Sequence, residues 1–157
     1  MKYCAFVIFS VLLICSAGCG PKRPAGMPEL YPCTITLTEG DKPATGVSIQ
    51  LVSKGAPCEW MVGAQTDANG VAAIMTYGQY NGAPEGTFAV VLDKTVTEGV
   101  DQNADVQKKP VKIYTMVDPK YKNAETSPLE IKIEGKKTDQ KFELGPPVKK
   151  LIETIQP

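Results

Sequence analysis

The sequence contains no histidine among its 157 residues. This absence excludes serine and cysteine hydrolases that use a histidine base. It also makes a zinc site hard to build, because the cysteines lack the close paired spacing of thiolate sites. The chain also has no excess of charge of either sign, because 17 Lys and Arg balance 17 Asp and Glu. We therefore expect no basic field that would attract nucleic acid. We expect a protein without cofactor, metal ion or nucleic-acid partner.

Only one long apolar run is present, Ala5 to Ile14 (AFVIFSVLLI). It is shorter than the about 20 residues of a membrane span. Lys2 precedes the run and small residues follow it up to Gly18, which is the pattern of a secretory leader. We predict a leader over residues 1–18 and an exported mature chain.

The residues before Cys19 read SAGC, which resembles the lipobox of bacterial lipoproteins. The resemblance implies that Cys19 is acylated and anchors the mature chain to a membrane of the cell envelope, on its periplasmic or outer face. Ser16 stands where leucine is commoner, and the chain also fits ordinary cleavage after Ala17. Residues 19–31 are rich in proline and glycine, so we expect an extended tether there.

Residues 32–145 alternate between apolar and polar side chains in several short runs, which is typical of strands. Cys33, Ile35 and Leu37 share one face of the first run, and Val47 to Leu51 is expected to pair with it as a hairpin. Further strands are predicted through Cys58 to Val62, from Val71, over 87–95, 113–117 and 129–133, and through Phe142 and Leu144. The spacing predicts an all-β sandwich of about seven strands in one domain.

Two segments depart from this alternation. Residues 95–110 are polar and acidic and are interpreted as a long loop, in which Glu98, Asp101 and Asp105 form either a solvated surface or a hard-cation site. In the tail, residues 146–157, apolar side chains recur at helical spacing (Val148, Leu151, Ile152 and Ile155). The tail is predicted to be a short amphipathic helix that docks on its own sandwich or in a partner's groove.

The run from Thr66 to Leu92 begins with TDANG and ends with GTFAVVL. It resembles carboxypeptidase-regulatory-like domains, and the chain as a whole is similar to small lipoproteins of planctomycete-type bacteria in its GCG, YPC, VDPKY and TSPLEI motifs. The resemblance implies a seven-stranded, transthyretin-like β-sandwich over about residues 32–145. It carries no catalytic residue, because the motif residues Asp67, Asn69 and Gly70 serve turn geometry.

Two pairs of residues stand out as candidate sites. Cys33 and Cys58 are the cysteines of the folded part, and in an oxidising compartment they are predicted to form a disulfide, with two buried thiols as the alternative. Tyr77 and Tyr80 flank a loop tip and are candidates for a ligand surface that stacks a sugar or contacts a protein. Isolated surface aromatics are common, so both tyrosines can equally be ordinary surface residues.

The function expected from these observations is a non-enzymatic envelope lipoprotein that displays a β-sandwich for docking to other envelope components. The alternative is a carbohydrate- or peptidoglycan-binding module that uses the tyrosine loop. Hydrolysis by paired carboxylates has no spacing signature across strands and stays open.

Overall fold

The computed structural model describes residues 22–55, 58–100 and 109–156. The predicted leader and Cys19 lie outside these residues. Within them the chain is all-β, with a 3-10 turn at Pro119–Tyr121 and no α-helix, so the predicted all-β class is confirmed. Accordingly, none of the described residues belongs to a helix of the length and apolarity that crossing a membrane demands.

The strands follow one another in short runs joined by turns. In chain order they are β1 (Leu30–Tyr31), β2 (Cys33–Glu39), β3 (Lys42–Pro43), β4 (Ser48–Ser53), β5 (Val62–Gln65), β6 (Val71–Ala73), β7 (Met75–Thr76), β8 (Tyr80–Asn81), β9 (Ala83–Pro84), β10 (Gly86–Asp93), β11 (Thr95–Glu98), β12 (Val111–Thr115), β13 (Glu130–Ile133), β14 (Thr138–Glu143) and β15 (Lys150–Ile155).

Two sheets form the sandwich. One has the order β14-β2-β3, with β6 also paired to β2, and the other has the order β13-β10-β4-β5-β7-β8. Most pairs are antiparallel, but β14 lies parallel to β2, with Thr138 opposite Cys33. Strand β14, which comes late in the chain, thus forms an edge of this sheet beside β2, the first long strand.

The core is one apolar cluster that takes side chains from both sheets. In β2 the predicted alternation is confirmed, since Cys33, Ile35 and Leu37 are buried while the threonines between them are half-buried. Strand β10 contributes Phe88, Val90 and Leu92 from the facing sheet. Burial of this apolar surface is the main term that stabilises the sandwich.

The predicted hairpin between the first two strands is wrong, because β2 and β4 belong to different sheets. The connection between them crosses the sandwich: the Ala44 N–H donates to the Leu37 carbonyl of β2, and the Val47 N–H donates to the Thr66 hydroxyl beyond β5. Ala44 and Val47 are buried on the way. The two apolar runs on either side of this turn thus belong to strands that contribute to the same core but do not pair with each other.

A third sheet, with the order β11-β12-β15, corrects two further predictions. Residues 95–98, expected within a long loop, form β11 and pair with β12. The tail, expected to be a helix, forms β15 and pairs with β12 from Val111 opposite Ile155 to Thr115 opposite Lys150. A bulge at Ile152 adds one residue to the strand, so its apolar side chains fall at intervals that imitate helical spacing.

The folded part also begins earlier than predicted. Leu30 and Tyr31, assigned to the tether, form β1 and pair with Pro84 and Ala83 of β9. Leu30 is buried, and Tyr31 packs against the core. Among the described residues, the N-terminal segment that precedes the first strand thus ends at Glu29.

Candidate functional site: an aromatic groove

A groove of about 800 Å³ opens at the end of the sandwich where β4 ends and β10 begins. Three stretches line it: residues 26–31 of the N-terminal segment, residues around the β4–β5 connection, and residues 84–88 at the start of β10. The aromatic residues of the lining are Tyr31, Trp60 and Phe88. The groove is therefore built by the segment that enters the domain and by two neighbouring strands of the larger sheet.

Trp60 and Tyr77 form an aromatic pair beside this groove. Their ring centroids lie 5.4 Å apart at an interplanar angle of 66°, which is an edge-to-face arrangement. Met61, next in the chain, is 69% exposed, and Tyr77 is 43% exposed. The pair and Met61 thus present an apolar patch to solvent at the same end of the molecule.

Tyr77 is held firmly in an unusual backbone conformation. Its φ of 52° makes it the one non-glycine residue with positive φ in the described part of the chain. Its N–H donates to the Met61 carbonyl at 2.7 Å, and its hydroxyl donates to the Glu59 carbonyl at 3.2 Å. Backbone strain of this kind persists where surrounding contacts fix it, and it often accompanies binding sites.

Three carboxylates lie in the lining of the groove. Glu29, Glu59 and Glu85 line it and are exposed, and none of them takes part in the ion pairs found within residues 22–55, 58–100 and 109–156. Lys54, the lysine of the lining, pairs with Glu130 at 2.6 Å. Partial burial raises the pKa of Tyr31, and the neighbouring Glu29 and Glu85 raise it further. A cationic group entering the groove would face these three carboxylates.

The two tyrosines of the predicted ligand surface make different contacts. Tyr77 lies beside Trp60, whereas Tyr80 is half-buried in β8, and its hydroxyl donates to the Lys22 carbonyl at 3.1 Å. Trp60 was expected in a strand through Cys58 to Val62 and was not predicted as a site residue; its half-buried side chain packs against the core and also lines the groove. Strand β5 begins only at Val62, so strand parity does not govern Trp60.

The predicted disulfide is not formed in the structure, where Cys33 and Cys58 are free thiols. Cys33 is buried at the start of β2, and this burial raises the pKa of its thiol to about 11. The half-buried Cys58 thiol donates to the Trp60 carbonyl at 3.5 Å. Pairing of the two cysteines in an oxidising compartment stays a prediction.

The remaining sequence motifs have structural roles. In the TDANG turn, the Asp67 carboxylate accepts from the N–H groups of Asn69 and Val71, and Gly70 has a φ of 73°. These two backbone donors lower the pKa of Asp67. Of the acidic loop, Glu98 pairs with Lys149 at 2.6 Å, while Asp101 and Asp105 lie outside the described residues. The described residues hold no group of three cysteine or acidic side chains arranged to bind a metal ion.

No family model matches the chain, and no curated protein or solved structure is significantly similar to it. The likeness to carboxypeptidase-regulatory-like lipoproteins and the transthyretin-like topology therefore stay predictions. What the site offers chemically is an aromatic surface for stacking and carboxylates that accept hydrogen bonds or attract a cation.

Proposed function

We propose that this protein is a non-enzymatic lipoprotein of the bacterial cell envelope, anchored through Cys19, whose β-sandwich docks onto another envelope component through the aromatic groove. The observation that carries the proposal is the fixed Trp60–Tyr77 pair beside three carboxylates that take part in none of the ion pairs among the described residues. Aromatic side chains at a concave surface are the commonest anchors of protein interfaces.

The rigidity of the pair supports a binding role. Tyr77 is tied by its backbone N–H and its hydroxyl, so little side-chain entropy is lost when a partner covers it. The exposed carboxylates of Glu29, Glu59 and Glu85 favour a partner that presents basic side chains, since complementary charge speeds association and sets orientation.

The position of the groove supports a partner on the same membrane. Residues 26–31, which lead back toward Cys19, line the groove. A tethered domain meets membrane-associated partners at a high effective concentration, so a modest affinity suffices for docking.

Site-specific photo-crosslinking in the producing cell tests this function. A photo-crosslinking amino acid in place of the exposed Met61 should give one discrete adduct, which Trp60→Ala should abolish. The same amino acid in place of Gln140, exposed on β14, is the matched control and should give no such adduct. Equal labelling from both positions, or an adduct that survives Trp60→Ala, would contradict docking at the groove. Intact mass of the protein from its membrane checks acylation of Cys19 in the same preparation.

A second candidate function is carbohydrate or peptidoglycan binding, and the Trp60–Tyr77 pair favours it because sugars stack on such rings while carboxylates accept their hydroxyl groups. Co-sedimentation of the mature protein with purified peptidoglycan sacculi tests it. Trp60→Ala should release the protein, and Tyr80→Phe, which removes only the bond to the Lys22 carbonyl, should not. Salt separates the candidates, because docking by charge weakens at high ionic strength and stacking does not.

A further inference from the structure

We propose that β15 pairs antiparallel with β15 of a second copy of this chain, so that two three-stranded sheets join into one. The inference goes beyond the proposed function and does not involve the groove. Strand β15 is at the end of its sheet and pairs with β12 on one side, while the structure gives it no partner on its other side in the described residues. An edge strand of this kind presents unpaired backbone donors and acceptors.

The side chains of the strand are exposed to an unusual degree for apolar residues. Leu151, Ile152 and Ile155 are 49%, 53% and 49% exposed. They lie within six consecutive residues of one strand and make up much of the apolar surface exposed by the described chain. Exposed apolar side chains concentrated on one edge mark an interaction site.

The sequence of this edge is complementary to itself. If a two-fold axis lies between Leu151 and Ile152, an antiparallel copy sets Lys150 opposite the partner's Glu153. It also sets Leu151 opposite the partner's Ile152 and Val148 opposite the partner's Ile155. Opposite charges and apolar pairs directly across a ladder stabilise it. Every charge of β15 thus meets the opposite charge and its apolar side chains meet apolar ones.

Other registers lose this match. A shift of one residue in one direction sets Lys150 opposite the partner's Ile152, and a shift in the other direction sets Leu151 opposite the partner's Glu153. Both place a charge against an apolar side chain. Lys150 and Glu153 also take part in none of the ion pairs within the described residues, so both are available to a partner.

The bulge at Ile152 shapes the interface. Bulges often protect edge strands, because they interrupt the regular row of backbone groups. Because of the bulge at Ile152, the hydrogen bonds between the two copies of β15 would form on either side of this residue. At the bulge itself, side-chain pairs would provide the contact. An interface of one short strand per copy is small, so we expect a concentration-dependent dimer rather than an obligate one.

A charge-exchange experiment tests the pairing directly. In the dimer, Lys150→Glu would set glutamate against glutamate and Glu153→Lys would set lysine against lysine, so each single variant should dimerise at least tenfold more weakly than the unaltered chain. The double variant restores opposite charges and should regain dimerisation. A mixture of the two single variants should form the heterodimer in preference to either homodimer. Native mass spectrometry over a concentration series of the mature protein, released from its membrane in mild detergent, measures dimerisation of the unaltered chain, the two single variants, the double variant and the mixture.

Two further variants separate pairing from folding and from the groove. Ile152→Lys should abolish the dimer, and Met61→Lys, which changes an exposed apolar residue at the groove, should leave it unchanged. A monomer at every concentration would overturn the proposal. So would a dimer insensitive to Ile152→Lys, or a double variant that stays as weak as the single ones.

Discussion

The sandwich and the three-stranded sheet are made of similar residues but are stabilised differently. In the sandwich, β2 and β10 face each other across a core in which Ile35, Leu37, Val90 and Leu92 are fully buried. In the β11-β12-β15 sheet, β11 is exposed along its whole length, and Thr115 is the buried residue of β12. An alternating apolar pattern therefore corresponds to a buried strand face only where a second sheet packs against that face.

Different interactions hold the uncovered sheet together. Lys149, which directly precedes β15, pairs with Glu98 of β11 at 2.6 Å, and its Nζ lies 4.4 Å from the centroid of the Tyr114 ring of β12. One lysine next to β15 thus contacts both of the other strands. Exposed ion pairs of this kind contribute little to stability. We infer that backbone ladders hold the three-stranded sheet and that it opens more readily than the sandwich, whose core must be exposed to unfold.

The largest expected contrast comes from one substitution made in both regions. Leu92→Ala in β10 removes a fully buried side chain and should lower the free energy of unfolding by about 2–5 kcal/mol, through lost burial and a residual cavity. Leu151→Ala in β15 removes a half-exposed one and should change it by within about 0.5 kcal/mol. Urea denaturation at low protein concentration measures both. Similar losses for the two variants would show that the regions unfold as one unit.

A second contrast uses glycines with matched surroundings. Gly70 has a φ of 73°, and a Cβ there would lie 2.4 Å from the Leu37 carbonyl oxygen. Gly99 has a φ of 88°, and a Cβ there would lie 2.5 Å from the Pro110 carbonyl oxygen. Gly70→Ala should lower the stability of the sandwich by more than the about 1–2 kcal/mol that the left-handed conformation costs, because backbone must also shift.

Gly99→Ala imposes the same strain at the end of β11 and should leave the melting temperature of the sandwich unchanged. Its effect should appear as faster amide exchange in β12. Thermal melts together with hydrogen exchange distinguish the two variants. Equal falls in melting temperature would contradict the separation of the regions.

The sequence pattern was sufficient to predict the strands that have one buried face. Alternation located β2, β10 and β13 because each lies over the core, and the TDANG motif located a turn whose geometry depends on the Asp67 carboxylate. It was not sufficient for sheet order, since the crossing from β2 to β4 and the parallel pairing of β14 depend on contacts between distant residues.

The site and the tail were harder to predict for particular physical reasons. Trp60 precedes β5, so strand alternation does not predict that its side chain packs against the core and also lines the groove. Tyr80 shares a loop with Tyr77 in sequence but is tied to the Lys22 carbonyl instead. The tail imitated a helix because the bulge at Ile152 adds one residue to a strand, and a pattern of four apolar residues does not distinguish the two.

Removal of β15 tests whether the sandwich depends on it. Deletion of residues 148–157 should leave the melting temperature of the sandwich unchanged, because the described strands of the sandwich pair with one another and not with β15. It should increase amide exchange in β12, whose ladder to β15 is lost. A clear fall in the melting temperature would show that the three-stranded sheet supports the core after all.

The smallest expected effect is a difference in acid sensitivity. The backbone donors of Val71 and Asn69 lower the pKa of Asp67 in the folded state. The stabilisation that they give is therefore present above the unfolded pKa, about 3.9, and is lost as the pH falls through the lower, folded value. Asp67→Asn keeps an oxygen acceptor but does not titrate, so its melting temperature should fall less than that of the unaltered chain between pH 5 and pH 2, about the range where aspartate protonates. In the three-stranded sheet, Glu98 raises the pKa of Lys149, so the stabilisation linked to this raised pKa is lost as the pH rises through the folded value. An acid limb of the melting curve that is identical in Asp67→Asn and in the unaltered chain would show that this turn contributes nothing to acid sensitivity.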